Sequence, residues 1–245
     1  MEPTDQRRRP NILLVRGALE DGSIWTEVIQ NLQRKDYNVV ASQLPLTSFT
    51  DDVRAVKRDL GALHGPTVVV GHSYGGVVIT QATSAATNVA SLVYVAAVAP
   101  DTGESIESIL AQYPPPPGAR YVVPVDPNET PPFLIFQRDR FPQFFCQDVG
   151  PRKARALAAA QAPASATFLS AQIKGLPAWR QFPTWYQICS DDRVLEPTVQ
   201  KMMANRAAPP DHIISIRASH FPMLSRPEKV AKFIEQAAHD STARS

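Results

Sequence analysis

No stretch of this sequence approaches the roughly 20 consecutive apolar residues that a membrane-spanning helix needs. Nor does charge of one sign dominate. The chain carries 25 basic and 23 acidic residues, a formal net charge of +2, which gives no footprint for nucleic acid or an anionic membrane. The one basic run, Arg7-Arg8-Arg9, lies in a polar N-terminal segment, residues 1–10, that reads as a flexible, solvated tail. A secretory signal needs a longer apolar stretch after its basic start than Ile12–Val15 provides, so the expected compartment is the cytoplasm. Cysteine is scarce. Cys146 and Cys189 form no metal-ligand spacing, and two buried or free thiols in a reducing compartment are expected. No internal repeat is present. What is there is a chain of 245 residues, 44% hydrophobic, enough for one domain with a sizeable core.

Asn11–Val15 is a short apolar run of the kind that forms a strand buried on both faces, and Arg16-Gly17-Ala18 breaks it. From Asp21 the periodicity turns helical: Trp25, Val28, Ile29 and Leu32 recur at three- and four-residue spacing, with Asp21 or Ser23 available as cap. Asn38–Ser42 reads as a second strand. Thr50 or Asp51 is expected to cap a helix striped by Val53, Val56, Leu60 and Leu63. Thr67–Val70, all β-branched, is a third strand, followed by a helix over about 76–87. Further strands are expected at Ser91–Val98, Thr184–Cys189 and His212–Ile216, with helices at Pro197–Arg206 and Pro227–Ala238. This alternation predicts an α/β domain: a mostly parallel sheet of about six strands with helices on both faces.

Between Pro100 and Pro183 the rhythm breaks and no strand is legible. The segment holds Pro114-Pro115-Pro116-Pro117, prolines at 124, 127, 131, 132 and 142, and the aromatics Tyr113, Tyr121, Phe133, Phe136, Phe141, Phe144 and Phe145. A structureless loop of that length is improbable in a compact domain. Residues from about 101 to 183 are therefore expected to form an insertion with short helices of its own, one at Arg152–Gln161. It would cover the sheet's carboxyl edge as a lid, with rings at 113, 133, 136, 144 and 145 walling the site.

The sharpest motif is Gly71-His72-Ser73-Tyr74-Gly75, which matches the G-x-S-x-G turn between a strand and a helix. Small flanking residues are needed because the serine backbone is strained and packed against both neighbours. The hydroxyl then stands at a helix N-terminus, where free N–H groups and the helix dipole favour a developing oxyanion. As a bare pattern the motif is common, but here a Thr-Val-Val-Val strand precedes it and a Gly-Gly start to a helix follows.

A serine is a weak nucleophile unless a base stands within hydrogen-bond reach and a carboxylate orients that base. In this arrangement the chain order is serine, acid, histidine. His64 precedes the elbow, His72 is inside it and points away, His212 starts a strand and His239 lies in a polar C-terminal stretch. His220 follows the last strand after Arg217-Ala218-Ser219 and is the expected base. The acid should follow the strand ending at Cys189: Asp192 is favoured, Asp191 comes next, and Asp101, after the fourth strand, is the outsider.

With these residues placed, the sequence resembles the α/β-hydrolase superfamily along nearly its whole length, and within it the branch of hydroxynitrile lyases and methyl-salicylate-type esterases. The carrying motifs are Leu13-Leu14-Val15-Arg16-Gly17-Ala18, Asp21-Gly22-Ser23-Ile24-Trp25, Gly71–Gly76, Ser190-Asp191-Asp192-Arg193 and Ser219-His220. In that branch the acid lies 28 residues before the histidine, the separation of Asp192 and His220. The resemblance implies an oxyanion hole from the N–H groups of Ala18 and Tyr74, by analogy worth roughly 10²–10³ in rate each.

Two departures bear on the chemistry. Where the branch's lyases carry a cyanide-holding lysine and a threonine, this chain has Phe221 and Gly17, which favours the esterase reading. Arg16 stands where the family usually shows histidine. It is expected either to prop the oxyanion loop, paired with Glu20 or Asp21, or to face the pocket and select anionic substrates. The expected activity is carboxylic-ester hydrolysis through an acyl-enzyme, with Ser73 attacking, His220 as base and Asp192 orienting it. The rivals are a lyase or acyltransferase on the same triad, or a non-hydrolytic small-molecule-binding protein. No metal or organic cofactor is expected. The expected partner is a small-molecule ester or related acyl substrate, with a homodimer left open and neither nucleic acid nor membrane called for.

Overall fold

The computed structural model describes residues 9–243; the expected tail, apart from Arg9 and Pro10, lies outside the described residues. Six strands form one fully parallel sheet in the order β2-β1-β3-β4-β8-β9: β1 (Asn11–Val15), β2 (Val39–Ser42), β3 (Thr67–His72), β4 (Val89–Val95), β8 (Thr184–Cys189) and β9 (Ile213–Ile216). Every residue of β3 and of β8 is buried, so helices cover both faces, as an apolar parallel strand requires. α1 (Thr26–Gln33) packs against α10 (Pro227–Ala243), α2 (Phe49–Gly61) against α3 (Gly75–Ala82), and α8 (Pro197–Ala207) against β8. The expected stripes are core apart from Ile29, which is half-buried: Trp25, Val28, Leu32, Val53, Val56, Leu60 and Leu63 are buried.

Several boundaries differ from the sequence reading, each for a local reason. Asp21 does cap the first helical turn, accepting from the Ser23 amide at 2.6 Å. The second helix starts two or three residues earlier than expected: Ser48, not Thr50 or Asp51, accepts the amide of Asp51 at 3.1 Å. α3 stops at Ala82 instead of running to 87, and there Thr83 turns its hydroxyl back onto the Ile79 carbonyl. β4 ends at Val95 because Ala96 takes a positive φ of 43°.

The segment 101–183 was expected to lack strands, and this is corrected. β5 (Val122–Pro124), β6 (Phe133–Phe136) and β7 (Ala164–Ser165) form a small antiparallel sheet. They are too short, and too broken by proline, for a period-2 pattern to register. The short helices α4 (Ile106–Leu110), α5 (Phe141–Phe145), α6 (Pro151–Ala159) and α7 (Thr167–Ser170) complete the segment, α6 being the one anticipated at Arg152–Gln161. A bridge between Thr102 and Ile173 ties the start of the segment to its later part. Both cysteines are free and buried. Among the described residues no helix is long and apolar enough to cross a membrane.

Candidate active site

β1, β3, β8 and β9 deliver their following loops to the same edge of the sheet, the carboxyl edge where parallel α/β folds place their sites. Ser73 sits between β3 and α3 with φ 51°, a strained conformation that aims its side chain out of the turn. The turn packs so tightly on the end of β1 that a Cβ on Gly75 would come within 2.5 Å of the Arg16 carbonyl oxygen.

His220, on the loop between β9 and α9 (Pro222–Ser225), places Nε2 3.0 Å from Ser73 Oγ and Nδ1 2.7 Å from Asp192 Oδ2. Asp192 is buried and held by more than the imidazole. Gln200, from α8, donates to Oδ2 at 2.8 Å, while the amides of Val194 and Leu195 donate to Oδ1 at 2.8 and 3.0 Å. The alternative acids are engaged elsewhere: Asp191 pairs with exposed Arg217, and Asp101 with Arg180. The arrangement can pass a proton from a serine to an imidazole that a carboxylate holds in one tautomer. Gln200 was not anticipated. Its signal is only tertiary.

The amides of Ala18 and Tyr74, expected to hold an oxyanion, enter no hydrogen bond among the described residues. Ala18, Tyr74 and Ser73 all line one cavity of about 720 Å³. The Tyr74 phenol turns away to donate to Asp52 at 2.7 Å. Burial, then the Asp52 charge, pushes that phenol well above its usual range, and burial likewise raises Asp52 despite the Tyr74 and Leu46 donors.

Arg16 is buried and outside the cavity wall. Neither expected carboxylate partner, Glu20 or Asp21, takes its guanidinium. It donates instead to main-chain carbonyls, to Glu20 through a short contact, to Leu44 at 2.6 Å and to Gly17 at 3.3 Å. Three carbonyls take up both terminal nitrogens of the guanidinium, while its buried Nε is left without a partner. The Glu20 carboxylate is turned the other way, accepting the Gly17 amide and meeting His72 Nδ1 at 2.8 Å. His72 does point away from the cavity, as expected, but not into inert core. Its Nε2 meets the His220 carbonyl at 2.8 Å. This pair was missed because Glu20 and His72 are 52 residues apart with no local pattern linking them.

The cavity wall is apolar apart from a few groups, and Glu107, exposed, is its one charged side chain. Of the five expected wall rings, Tyr113, Phe136 and Phe145 line it. Phe133 and Phe144 do not, and Phe168 does so unanticipated. Phe145 also stacks on Phe141 at 4.5 Å and meets the His220 ring edge-on at 5.5 Å. Nearby, Asp148 accepts the Ser219 amide at 3.0 Å, and Gln147 donates to the Asp191 carbonyl at 2.6 Å. Phe221 is buried against Phe141, Phe145 and His72. Burial pushes the Cys146 thiol up to about 12 and Cys189 well above its ordinary value, so neither is primed to act as a nucleophile.

The model of the alpha/beta hydrolase family matches residues 12–233. An alpha/beta hydrolase of Aspergillus novofumigatus is 25% identical over 258 residues, spanning 95% of this chain and 98% of that protein. The pyrethroid hydrolase of Sphingobium wenxiniae is 26% identical over 252 residues, spanning 93% of this chain and 87% of that protein. Among solved structures, polyneuridine aldehyde esterase superimposes with a TM-score of 0.82 at 19% identity, covering 94% of this chain and 99% of its own, a likeness of fold.

Proposed function

The chain belongs to the alpha/beta hydrolase family, and from that membership we propose that it hydrolyses carboxylic esters through an acyl-enzyme on Ser73. The observation that carries this reading is the unbroken run from Ser73 Oγ to His220 at 3.0 Å and on to Asp192 at 2.7 Å. Ser73 Oγ attacks the ester carbonyl carbon while His220 Nε2 takes its proton. The carbonyl electrons move onto oxygen, and the amides of Ala18 and Tyr74 receive that charge. As the tetrahedral intermediate collapses, His220 returns the proton to the departing alcohol. Water, deprotonated by His220, then releases the acid and restores Ser73. Asp192 keeps the imidazole in the productive tautomer and balances its charge.

The apolar wall supports a neutral, hydrophobic ester, with residues 101–183 as its cap. The buried, carbonyl-bound Arg16 offers nothing to an anionic group, and Glu107 repels one. Cyanohydrin cleavage is disfavoured because Phe221 cannot hold an anion, and a Cβ at Gly17 would lie 2.7 Å from Ser73 Cβ, leaving no room for threonine. The experiment is a panel of p-nitrophenyl esters of increasing acyl length, assayed with and without an added alcohol. Turnover to free acid that favours longer acyl groups supports the reading. Products retaining the acyl group on the alcohol indicate a transferase, and tight binding without turnover indicates a binding protein.

A further inference from the structure

Beneath the triad lies a second histidine–carboxylate pair that the reaction above does not use. His72 is fully buried, with Nδ1 2.8 Å from Glu20 Oε1 and Nε2 2.8 Å from the main-chain oxygen of His220. A carbonyl oxygen can only accept, so Nε2 carries a proton. Glu20 Oε1 already accepts the Gly17 amide, and an ionised carboxylate accepts from Nδ1 as well. A ring whose two nitrogens both donate is an imidazolium. The charged and titratable groups around it are Glu20 in direct contact, the His220 ring at 4.7 Å and the Asp192 carboxylate beyond, with Arg16 bound to the Glu20 carbonyl. Trp25 and Phe221 close the remaining sides. Burial opposes a charge on His72, but the Glu20 charge and hydrogen bond, the His220 carbonyl and Asp192 outweigh it and hold its pKa above the ordinary value.

We propose that Glu20 and a doubly protonated His72 are positioning residues that lock the oxyanion loop at Gly17–Ala18 to the loop carrying His220. The proposal rests on the assignment of Ser73, His220 and Asp192 to catalysis. A neutral His72 breaks the lock whichever nitrogen keeps the proton. Either Nε2 turns a lone pair on the His220 carbonyl, or Nδ1 turns one on Glu20. A shift of about 1 Å at a reacting group costs on the order of a hundredfold in rate.

The test combines histidine ¹⁵N NMR of the whole protein with kinetics of Glu20→Gln, the His72 signal being assigned by its loss in His72→Gln. In the wild type both His72 nitrogens are protonated at neutral pH, and the ring gives up its proton only above the ordinary histidine range. In Glu20→Gln the counter-charge is gone, so His72 titrates within that range. There kcat falls roughly tenfold to a hundredfold at the alkaline end with KM little changed, and the deficit against wild type narrows as pH falls. A bare ring nitrogen on wild-type His72 at neutral pH overturns the proposal. So does a Glu20→Gln deficit that is the same at every pH, the mark of a packing defect. Hydrolysis that survives Ser73→Ala would overturn the triad assignment and the positioning role with it, while the NMR still reports the charge on His72.

Discussion

Asp192 accepts four hydrogen bonds, and only one comes from His220. The other three pin the carboxylate so that its free lone pair meets Nδ1. Asp192→Asn should keep the turn at Val194 and Leu195 but present N–H to Nδ1, forcing the wrong tautomer. We expect kcat to fall about 10⁴-fold, measured by steady-state hydrolysis with little change in Tm. Asp191→Asn should leave kcat near wild type, since it loses only an exposed pair with Arg217, worth about 1 kcal/mol or less. Arg16 makes the opposite prediction. Arg16→Met removes a cation from three main-chain oxygens, leaving the buried Glu20 and Leu44 carbonyls unpaired. Denaturant titration should show a loss of about 3 kcal/mol. The ratio of KM for neutral to carboxylate-bearing esters should be unchanged, and a selective rise for the anionic one would return Arg16 to the pocket.

At the scale of elements, the segment 101–183 divides its rings between two tasks. Phe141 is buried, stacked on Phe145 and against Phe136 and Phe221, so Phe141→Ala should cost about 3–5 kcal/mol in stability. Phe168, partly exposed on the cavity wall, should instead change the order of preference among acyl lengths when replaced by alanine, with Tm nearly constant. Equal Tm losses in both variants would make the wall a packing surface only. The central strands were legible because an unbroken apolar run such as Thr67–Val70 has one use in a protein of this kind, and the elbow because its glycines follow that strand directly. β5–β7 were not, since Val122–Pro124 and Ala164–Ser165 pair with partners that no local pattern names. Ser73, Asp192 and His220 were placed by chain order, and the fold brings them within hydrogen-bond reach of one another. Gln200 behind Asp192, and Glu20 with His72 behind His220, depend on contacts made only after folding.

For the whole molecule, the stem of the segment 101–183 ties folding to pH. Burial disfavours the Glu104 charge, but the hydrogen bonds from Arg206 and the Asp101 amide outweigh it and depress its pKa, while Arg180 lowers Asp101. Folded-state values below the unfolded ones stabilise above the ordinary carboxylate range, and that stability is lost as pH falls through the depressed values. Tm should therefore drop below about pH 4.5, near the unperturbed glutamate range, and Glu104→Gln should flatten that slope. An unchanged slope would remove the stem from the acid transition. The central claim, that the sheet's carboxyl edge assembles a serine nucleophile, is tested most directly by labelling with a fluorophosphonate and mapping the adduct by peptide mass. A single adduct on the peptide bearing Ser73, absent along with ester hydrolysis in a folded Ser73→Ala variant, is the result expected. Labelling or full hydrolysis that persists in that variant would contradict it.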